Sequence, residues 1–307
     1  MSEEAPHILF LGLGYVARHL ARRLAAEGWR IAGTARTAEG LDAIRKEGWQ
    51  AWLFDGTAPL PAEAWEGVTH VLSSVPPDAD GDPVLRTLGK DLCRFAPRLR
   101  WVGYLSTVGV YGDHDGAWVD ETTPCQPVSE RGRRRLEAEE GWLALYRDCG
   151  LPLHVFRLPG IYGPGRSPLD KARRRVRSAL VVKPGQVFSR IHVEDLAEAL
   201  HRSLLMPTPG EIYNVTDDEP APPHEVALLA HELLGLEPPP LKPFAEIKDE
   251  LSPMARSFYG ESKRVSSRKI RERLGWRPRH PTYREGLRAI LQTEKREDRG
   301  ADRGPIR

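Results

Sequence analysis

The chain has 307 residues, of which 40% are hydrophobic and 29% charged, and its 45 basic and 43 acidic residues leave a net charge of +2. This length suits one large domain or a domain with a smaller lobe. The near-balance of charge argues against a dedicated nucleic-acid binder, whose phosphate contacts need an excess of Lys and Arg.

The three cysteines, Cys93, Cys125 and Cys149, show no CxxC or metal-ligand spacing. We therefore expect no disulfide and no zinc or other metal site, as suits a reducing compartment. The N-terminus lacks the basic and apolar regions of a signal peptide, and no apolar run reaches the roughly 18–20 residues that span a bilayer. These features predict a cytoplasmic protein without a membrane partner.

The first 160 residues alternate short apolar runs with longer amphipathic ones. Strands are predicted at 7–14, 29–36, 50–56, 68–75, 100–112 and 151–160. Helices are predicted at 15–28, 38–48, 82–97 and 129–150. Strands that alternate with helices of this length indicate right-handed βαβ crossovers, and hence a Rossmann-type doubly wound parallel sheet of the α/β class.

The alternation weakens after residue 160. We predict a loop at 161–168, helices at 171–180, 192–206, 224–235, 266–275 and 282–292, a strand at 211–215 and a proline-rich link at 237–244. The predicted domains are a nucleotide-binding core at 1–160 and a substrate lobe at 161–292, of which 192–206 and 211–215 return to the core. Residues 293–307 are charged and lack apolar anchors, which predicts a disordered tail.

A glycine-rich turn ends the first predicted strand and opens directly onto a helix. Its pattern is GxGxxA, formed by Gly12, Gly14 and Ala17, with Tyr15 and Val16 at the start of the helix. Gly12 permits the tight turn, Gly14 lets a pyrophosphate approach the backbone, and Ala17 allows close packing of the helix on the strand. The strand–turn–helix context makes this a dinucleotide site; the alternative is a tight turn without a ligand.

The end of the second predicted strand indicates which dinucleotide binds. NAD sites commonly have an acidic residue here, whereas this strand ends in Thr34, Arg36 and Thr37. Arg36 can pair with a 2′-phosphate, and either threonine can add a hydrogen bond. We therefore predict NADP(H), with NAD(H) second, and expect Asp55 near the adenine; the alternatives are a solvated Arg36 and an ordinary Asp-Gly turn.

Five segments in order resemble the extended branch of the short-chain dehydrogenase/reductase superfamily, which contains NAD(P)-dependent epimerases and dehydratases. They are YLSTVGVYG (104–112), RLPGIYGPGR (157–166), RIHVEDLAEAL (190–200), YNVTDDEP (213–220) and LGWRPRHPTYREGL (274–287). In that branch a Ser/Thr orients the substrate carbonyl, a Tyr transfers its proton, and a Lys four residues later holds the nicotinamide ribose. Hydride transfer to a carbonyl leaves an oxygen that needs a proton, which is why this chemistry requires a positioned acid.

The resemblance aligns Pro127–Glu139 with the helix that carries the Tyr and Lys. Thr107 fills the Ser/Thr position, but Arg131 stands at the tyrosine and Arg135 at the lysine. Arg135 can still bond ribose hydroxyls, whereas arginine has a pKa above about 12 and does not replace tyrosine as an acid. The chain is thus similar to the atypical subgroups that keep the cofactor fold without the usual active-site pair.

Other site residues follow from the same alignment. Tyr162 and Tyr111 are alternative proton donors near the nicotinamide end, although Tyr162 more often serves packing in such loops. The backbone of Pro159, Gly160 and Ile161 is expected to contact the nicotinamide carboxamide.

Further cofactor contacts are expected at Ser74 and Val75, which end the fourth predicted strand. His192 is titratable, since an unperturbed histidine has a pKa of about 6.5. We nevertheless expect His192 and Asp195 to be architectural, because they belong to a helix-entry motif.

The arginine cluster at 131–135 has two interpretations. In the first interpretation the cluster receives an anionic substrate, because a guanidinium group binds carboxylate and phosphate bidentately. Alternatively it is a solvated helix face, with Arg135–Glu139 and Arg134–Glu137 pairs offsetting its charge.

Two functions remain open at this point. The first is an oxidoreductase or epimerase acting on a small polar substrate, either sugar-linked or anionic, as a monomer or homodimer. The second is a redox-inactive NADP(H)-binding sensor with a degenerate active site.

Overall fold

The structure is a computed structural model that describes residues 5–175 and 179–301. Up to residue 158 the elements are β1 (His7–Leu11), α1 (Tyr15–Ala26), β2 (Arg30–Ala35), α2 (Ala38–Arg45), β3 (Gln50–Leu53), β4 (His70–Ser73), α3 (Pro83–Phe95), β5 (Trp101–Thr107), β6 (Trp118–Val119), α4 (Glu130–Cys149) and β7 (Leu153–Leu158). The remainder comprises β8 (Gly160–Tyr162), α5 (Pro168–Arg173), β9 (Leu180–Val182), β10 (Arg190–His192), α6 (Val193–Leu205), β11 (Ile212–Asn214), α7 (Pro223–Leu234), β12 (Leu241–Pro243), α8 (Phe244–Ile247), α9 (Pro253–Phe258), β13 (Arg264–Val265), α10 (Arg268–Leu274) and α11 (Tyr283–Ala301).

A seven-stranded parallel sheet organises the molecule, in the order β11-β7-β5-β4-β1-β2-β3. The strand order reverses at β1, which pairs with β2 on one side and β4 on the other. Ligands of open α/β sheets bind in the crevice outside the carboxyl ends of the strands at such a reversal. The predicted Rossmann-type doubly wound sheet is confirmed.

Both faces of the sheet are covered, which explains the uninterrupted apolar run in β1. Ile8 and Phe10 belong to a core shared with α1, α6 and α10, while Leu9 and Leu11 belong to a core shared with α3 and α4. Successive residues of a strand point to opposite faces, so a strand buried on both sides reads as continuously hydrophobic.

The C-terminal part contributes both to the sheet and to a separate lobe. β11 extends the sheet by pairing with β7, and α6 packs on α1. Outside the sheet, α5, α7 and α11 share a third apolar core that includes Leu169, Val226 and Leu287. This lobe stands over the carboxyl ends of β5 and β7, where the candidate site lies.

The lobe differs from expectation in its local elements. The predicted loop at 161–168 contains part of β8, and the helix predicted at 171–180 instead begins at Pro168 and ends at Arg173; positions 176–178 lie outside the described residues. A capping box explains the earlier start, since Ser167 and Asp170 bond each other's backbone amides.

Two further segments of the lobe also differ from expectation. The predicted proline-rich link at 237–244 contains the short strand β12. This strand pairs with β9, which is distant in the sequence, so the local sequence does not indicate it. The closing helix continues to Ala301 instead of stopping at 292, so the tail predicted to be disordered at 293–307 is helical up to residue 301. Glu, Lys and Arg, which follow residue 292, are good helix formers, and 302–307 lie outside the described residues.

The prediction of no disulfide is wrong, because Cys93 and Cys149 are joined, with their Cα atoms 5.5 Å apart. The two residues lie 56 positions apart, at the last turns of α3 and α4, which pack side by side. Linear spacing carries no information about that contact. Cys125 is free and half-buried. Within 5–175 and 179–301, none of the helices combines the length and the apolar character that crossing a bilayer requires.

Candidate functional site

The glycine-rich turn between β1 and α1 is held from both sides. Gly12 has a φ of +84°, a conformation that glycine adopts without strain. Its amide donates to Thr34 Oγ1 at 2.8 Å, and Ser74 Oγ donates to its carbonyl oxygen at 2.5 Å. A Cβ at Gly12 would stand 3.0 Å from Ser74 Oγ and 3.2 Å from a methyl group of Val75. The turn is therefore fixed by its neighbours in β2 and after β4.

The N-terminus of α1 is open to an anion. Gly14 precedes the helix without a side-chain cap, and the first turn contains no acidic residue. First-turn amides, here those of Tyr15, Val16 and Ala17, lack carbonyl partners within a helix, and the helix dipole makes this end positive. A Cβ built on Gly14 would meet no atom within 4 Å. These features fit the pyrophosphate of a dinucleotide.

The ends of β2 and β3 leave one side chain available for a 2′-phosphate. Thr34 is buried with its hydroxyl bonded to the Gly12 amide, and Thr37 caps α2 by accepting from the Gly40 amide. Asp55 accepts from the amide and hydroxyl of Thr57, as in an ordinary turn. Arg36 is exposed at the end of β2.

A cleft of about 1180 Å³ extends from this turn into the lobe. Among the predicted site residues, those that line it are Gly14, Tyr15, Val16, Ser74, Thr107, Arg131, Arg135, Pro159, Gly160, Ile161 and Tyr162. Those outside its walls are Gly12, Ala17, Thr34, Arg36, Asp55 and Val75. The cleft thus brings the glycine turn and the start of α4 into one space.

Arg131 and Arg135, the replaced pair, lie one turn apart in α4. Arg135 Nη1 donates to the hydroxyl of Tyr104 at 2.9 Å and to the carbonyl oxygen of Leu105 at 3.0 Å, which ties the guanidinium to β5. Arg131 is exposed and forms no ion pair with any residue in the described ranges. Thr107, which also lines the cleft, accepts a hydrogen bond from the Gly109 amide at 3.2 Å.

The expected charge pairs along α4 are wrong. Glu130 binds both Arg133 and Arg134, at 2.9 and 3.0 Å, instead of the predicted Arg134–Glu137 pair. The predicted Arg135–Glu139 pair is absent from the described residues, since Glu139 binds Arg157 of β7 at 2.7 Å. The helix turns Glu139 towards the sheet, where a tertiary partner replaces the local one.

The Glu139–Arg157 pair is the centre of a buried network beneath the cleft. Both side chains are at most 5% exposed, and the Ser106 hydroxyl donates to the same carboxylate. Burial opposes the charge of Arg157, but Glu139 outweighs it and raises the pKa of the guanidinium. Arg157 also stands 4.9 Å from the ring centre of Tyr111. The network holds α4 against β5 and β7.

Three tyrosine hydroxyls near the cleft are bonded to other groups. Tyr162 is 4% exposed and donates to the Thr282 carbonyl oxygen at 3.4 Å, Tyr111 donates to Asn214 at 2.9 Å, and Tyr15 donates to Pro164 at 3.0 Å. Burial raises the pKa of Tyr162, and it raises the pKa of Tyr15 and Tyr111 to about 12. Their weak acidity does not favour any of them as a proton donor near neutrality.

His192, Asp195 and His280 lie close enough together to suggest a metal site, with potential ligand atoms within 4.8 Å of one another. However, Asp195 accepts from the amides of Arg279 and His280 and from His280 Nδ1. His192 Nδ1 accepts from the Glu194 amide, so Nε2 carries the proton of the neutral ring. Burial lowers the pKa of His192 to about 4, which keeps it neutral. These bonds favour the architectural interpretation of the motif.

Some charged residues of the cleft escaped the sequence analysis. Arg166 follows the β8 segment, and Lys263 precedes β13. Lys263 Nζ donates to the Gly112 carbonyl oxygen at 2.5 Å and to Glu261 at 2.7 Å. The YGPGR sequence, which belongs to one of the segments resembling the family, could have indicated Arg166 as a residue of the cleft. Nothing in the sequence places residue 263 beside residue 112.

Comparison with known proteins agrees with this geometry. Residues 88–216 match the model of the NAD dependent epimerase/dehydratase family. Protein YeeZ of Escherichia coli K12 is 31% identical over 250 residues, covering 76% of this chain and 85% of YeeZ. The chain belongs to the NAD-dependent epimerase/dehydratase family.

Solved structures extend this relationship along the chain. A conserved protein of unknown function from Silicibacter pomeroyi DSS is 52% identical, with a TM-score of 0.87 over 94% of this chain and 99% of that one. A dTDP-glucose 4,6-dehydratase from Bacillus anthracis, solved in complex with NAD, shares the fold at 19% identity, with a TM-score of 0.76 over 96% and 98% of the two chains.

Proposed function

We propose that the protein binds NADP(H), with NAD(H) as the weaker ligand, and transfers hydride to or from a small polar substrate that is anionic or sugar-linked. The observation that carries the proposal is the uncapped N-terminus of α1, which opens at Gly14 into the same cleft as Thr107 and Arg131. The NAD complex of the dehydratase relative supports the choice of a nicotinamide dinucleotide.

The residues of the cleft have separate roles in this proposal. A bound nicotinamide would supply or accept the hydride, and water in the open cleft would supply or take up the proton that balances it. Thr107 orients the substrate oxygen, and Arg135 contacts the ribose with the nitrogens that β5 does not occupy. Arg131, an exposed cation at the cleft, binds the anionic group of the substrate.

A second candidate is a redox-inactive NADP(H) sensor. The observation that favours it is the state of the tyrosines: Tyr15, Tyr111 and Tyr162 all donate to other groups and have raised pKa values. No phenol of ordinary acidity replaces the missing tyrosine at these three positions. Such a protein would bind the cofactor tightly and turn over nothing.

Stopped-flow oxidation of bound NADPH across a panel of carbonyl compounds and nucleotide sugars separates the two candidates. Oxidation by any member supports the enzyme, whereas micromolar binding with no oxidation supports the sensor. Titration of wild type and Arg36→Ala with NADPH and NADH tests the cofactor preference. Tighter binding of NADH by wild type would contradict it.

Restoring the family pair is a direct test of the active site. Arg131→Tyr with Arg135→Lys restores an acid and removes the guanidinium proposed to bind an anionic group. It should therefore raise reductase activity on uncharged carbonyl substrates if the missing acid limits the reaction.

The proposal includes a cytoplasmic monomer or homodimer without nucleic-acid or membrane partners. In a reducing compartment the Cys93–Cys149 disulfide would be reduced to two thiols. Mass spectrometry after rapid alkylation would detect these thiols in alkylated form.

A further inference from the structure

A loop of the lobe reaches back to the glycine-rich turn. The Tyr15 hydroxyl donates to the carbonyl oxygen of Pro164 at 3.0 Å. A Cβ built on Gly163 would stand 2.5 Å from the same hydroxyl. The first residue of α1 and the segment after β8 are therefore in direct contact.

This loop holds its last residue in a defined place. The Gly163 and Arg166 amides each donate to the other residue's carbonyl oxygen, at 3.3 and 3.0 Å, which closes a turn through Pro164 and Gly165. Gly165 has a φ of +71°, and Ser167 immediately caps α5. The backbone at Arg166 is thus fixed before any ligand binds.

The guanidinium of Arg166 lies beside the open end of α1. Its central carbon is 5.6 Å from the ring centre of Tyr15, and both residues line the cleft. It forms no ion pair with a carboxylate of the described residues. The acids close by are engaged elsewhere, since Asp170 accepts from Ser167 and Glu194 bonds His19.

We infer that Arg166 binds the pyrophosphate of the dinucleotide from the lobe, opposite the amides of α1. This inference rests on the proposed cofactor site and adds to it a contact from outside the nucleotide-binding core. A guanidinium donates two parallel hydrogen bonds to phosphate oxygens, and the amides of Tyr15 and Val16 neutralise the other side. Cofactor binding would then connect the lobe to the core through one side chain.

The inference is tested by titrating wild type, Arg166→Ala and Arg166→Lys with NADPH, ADP-ribose and adenosine 2′-monophosphate. ADP-ribose has the pyrophosphate without the nicotinamide, and adenosine 2′-monophosphate lacks the pyrophosphate. We expect Arg166→Ala to weaken NADPH and ADP-ribose by about tenfold or more and adenosine 2′-monophosphate by less than about twofold. Lysine should recover part of the loss, because it keeps the charge without the fork.

Arg174→Ala is the matched control, because Arg174 is another exposed arginine of the same cleft. It should leave the affinity for NADPH unchanged. Equal affinities for Arg166→Ala and wild type would overturn the inference and leave the proposed function standing. An equal loss for all three ligands, with a lower Tm of the free protein, would also overturn it, since Arg166 would then only pack on Tyr15. Wild type that binds neither NADPH nor NADH would refute the proposed function itself.

Discussion

The glycine-rich turn and the start of α4 face the same cleft, and they differ in which atoms carry their role. At the turn, the groups proposed to bind an anion are backbone amides, and Thr34 and Ser74 bond the backbone of Gly12. At α4 the proposed roles depend instead on two side chains, those of Arg131 and Arg135. A backbone site persists as long as the fold does, whereas a side-chain site is lost by substitution without any change of fold.

The interior of α4 shows why the fold tolerates this loss. Glu139, two turns beyond the exposed Arg131, binds Arg157 and Ser106 in the buried network. This network, together with the apolar contacts of Trp142, holds the helix to the sheet. The helix therefore keeps its position independently of the residues that its N-terminal turns present to the cleft.

The largest expected effect comes from breaking that network. Arg157→Met should lower the free energy of unfolding by about 3–5 kcal/mol, because it leaves the Glu139 carboxylate buried without its partner. Arg134→Ala, which breaks an exposed pair with Glu130 in the same helix, should change stability far less, because water screens exposed charges. Urea denaturation measures both. Similar small losses would show that the buried pair does not anchor α4.

The second prediction concerns the far ends of α3 and α4. Cys93→Ser should reduce the free energy of unfolding by about 2–4 kcal/mol under non-reducing conditions, because the Cys93–Cys149 link restricts the unfolded chain. Cys125→Ser, at the free cysteine, is the control and should have a much smaller effect. With reductant present, wild type and Cys93→Ser should become alike; a difference that persists would argue against the link.

The third prediction isolates the backbone site. Gly14→Ala should weaken NADPH binding by about 100-fold, equivalent to about 2.7 kcal/mol, while leaving the Tm nearly unchanged. The added methyl meets no protein atom but occupies the space left for the pyrophosphate. Gly89→Ala in α3 also adds a methyl in open space, and it should leave binding unaffected. Calorimetric titration that finds normal affinity in Gly14→Ala would place the cofactor elsewhere.

The smallest expected effect comes from the buried carboxyl group of Asp217. It differs from the hydroxyls of Thr34 and Ser74 at the glycine-rich turn, which are hydrogen-bonded to Gly12. Both carboxylate oxygens of Asp217 are buried and lack a side-chain hydrogen-bond partner among the described residues. Burial raises the pKa of Asp217 from 3.8 to about 8 and outweighs the opposing effects of Arg190 and of the Glu219 backbone. Between these values the unfolded chain ionises while the folded one keeps the proton, so stability falls as the pH rises from about 4 to 8.

Asp217→Asn should remove this slope. It should stabilise the protein by roughly 1–3 kcal/mol near pH 8 and by almost nothing near pH 4. Thermal unfolding across this pH range tests the prediction, with Asp80→Asn, at an exposed aspartate, as the control. A gain that does not depend on pH would mean that Asp217 is ionised in the folded state.

The sequence by itself determined the Rossmann-type sheet and the family, and it predicts that Arg131 and Arg135 replace the family's Tyr/Lys pair. The signals are local: apolar runs as in β1, the glycines at 12 and 14, and the identities of residues 131 and 135. Local steric and hydrogen-bonding preferences act between residues close in the chain, so a single sequence displays them directly.

Only the tertiary structure decided the contacts between distant segments. The Cys93–Cys149 disulfide, the Glu139–Arg157 pair and the approach of Arg166 to Tyr15 each join residues that the linear sequence gives no reason to associate. Such contacts depend on which helix face turns towards the sheet and which loop returns over the cleft. Those outcomes follow from packing the whole chain, because each of these three contacts joins side chains of different elements.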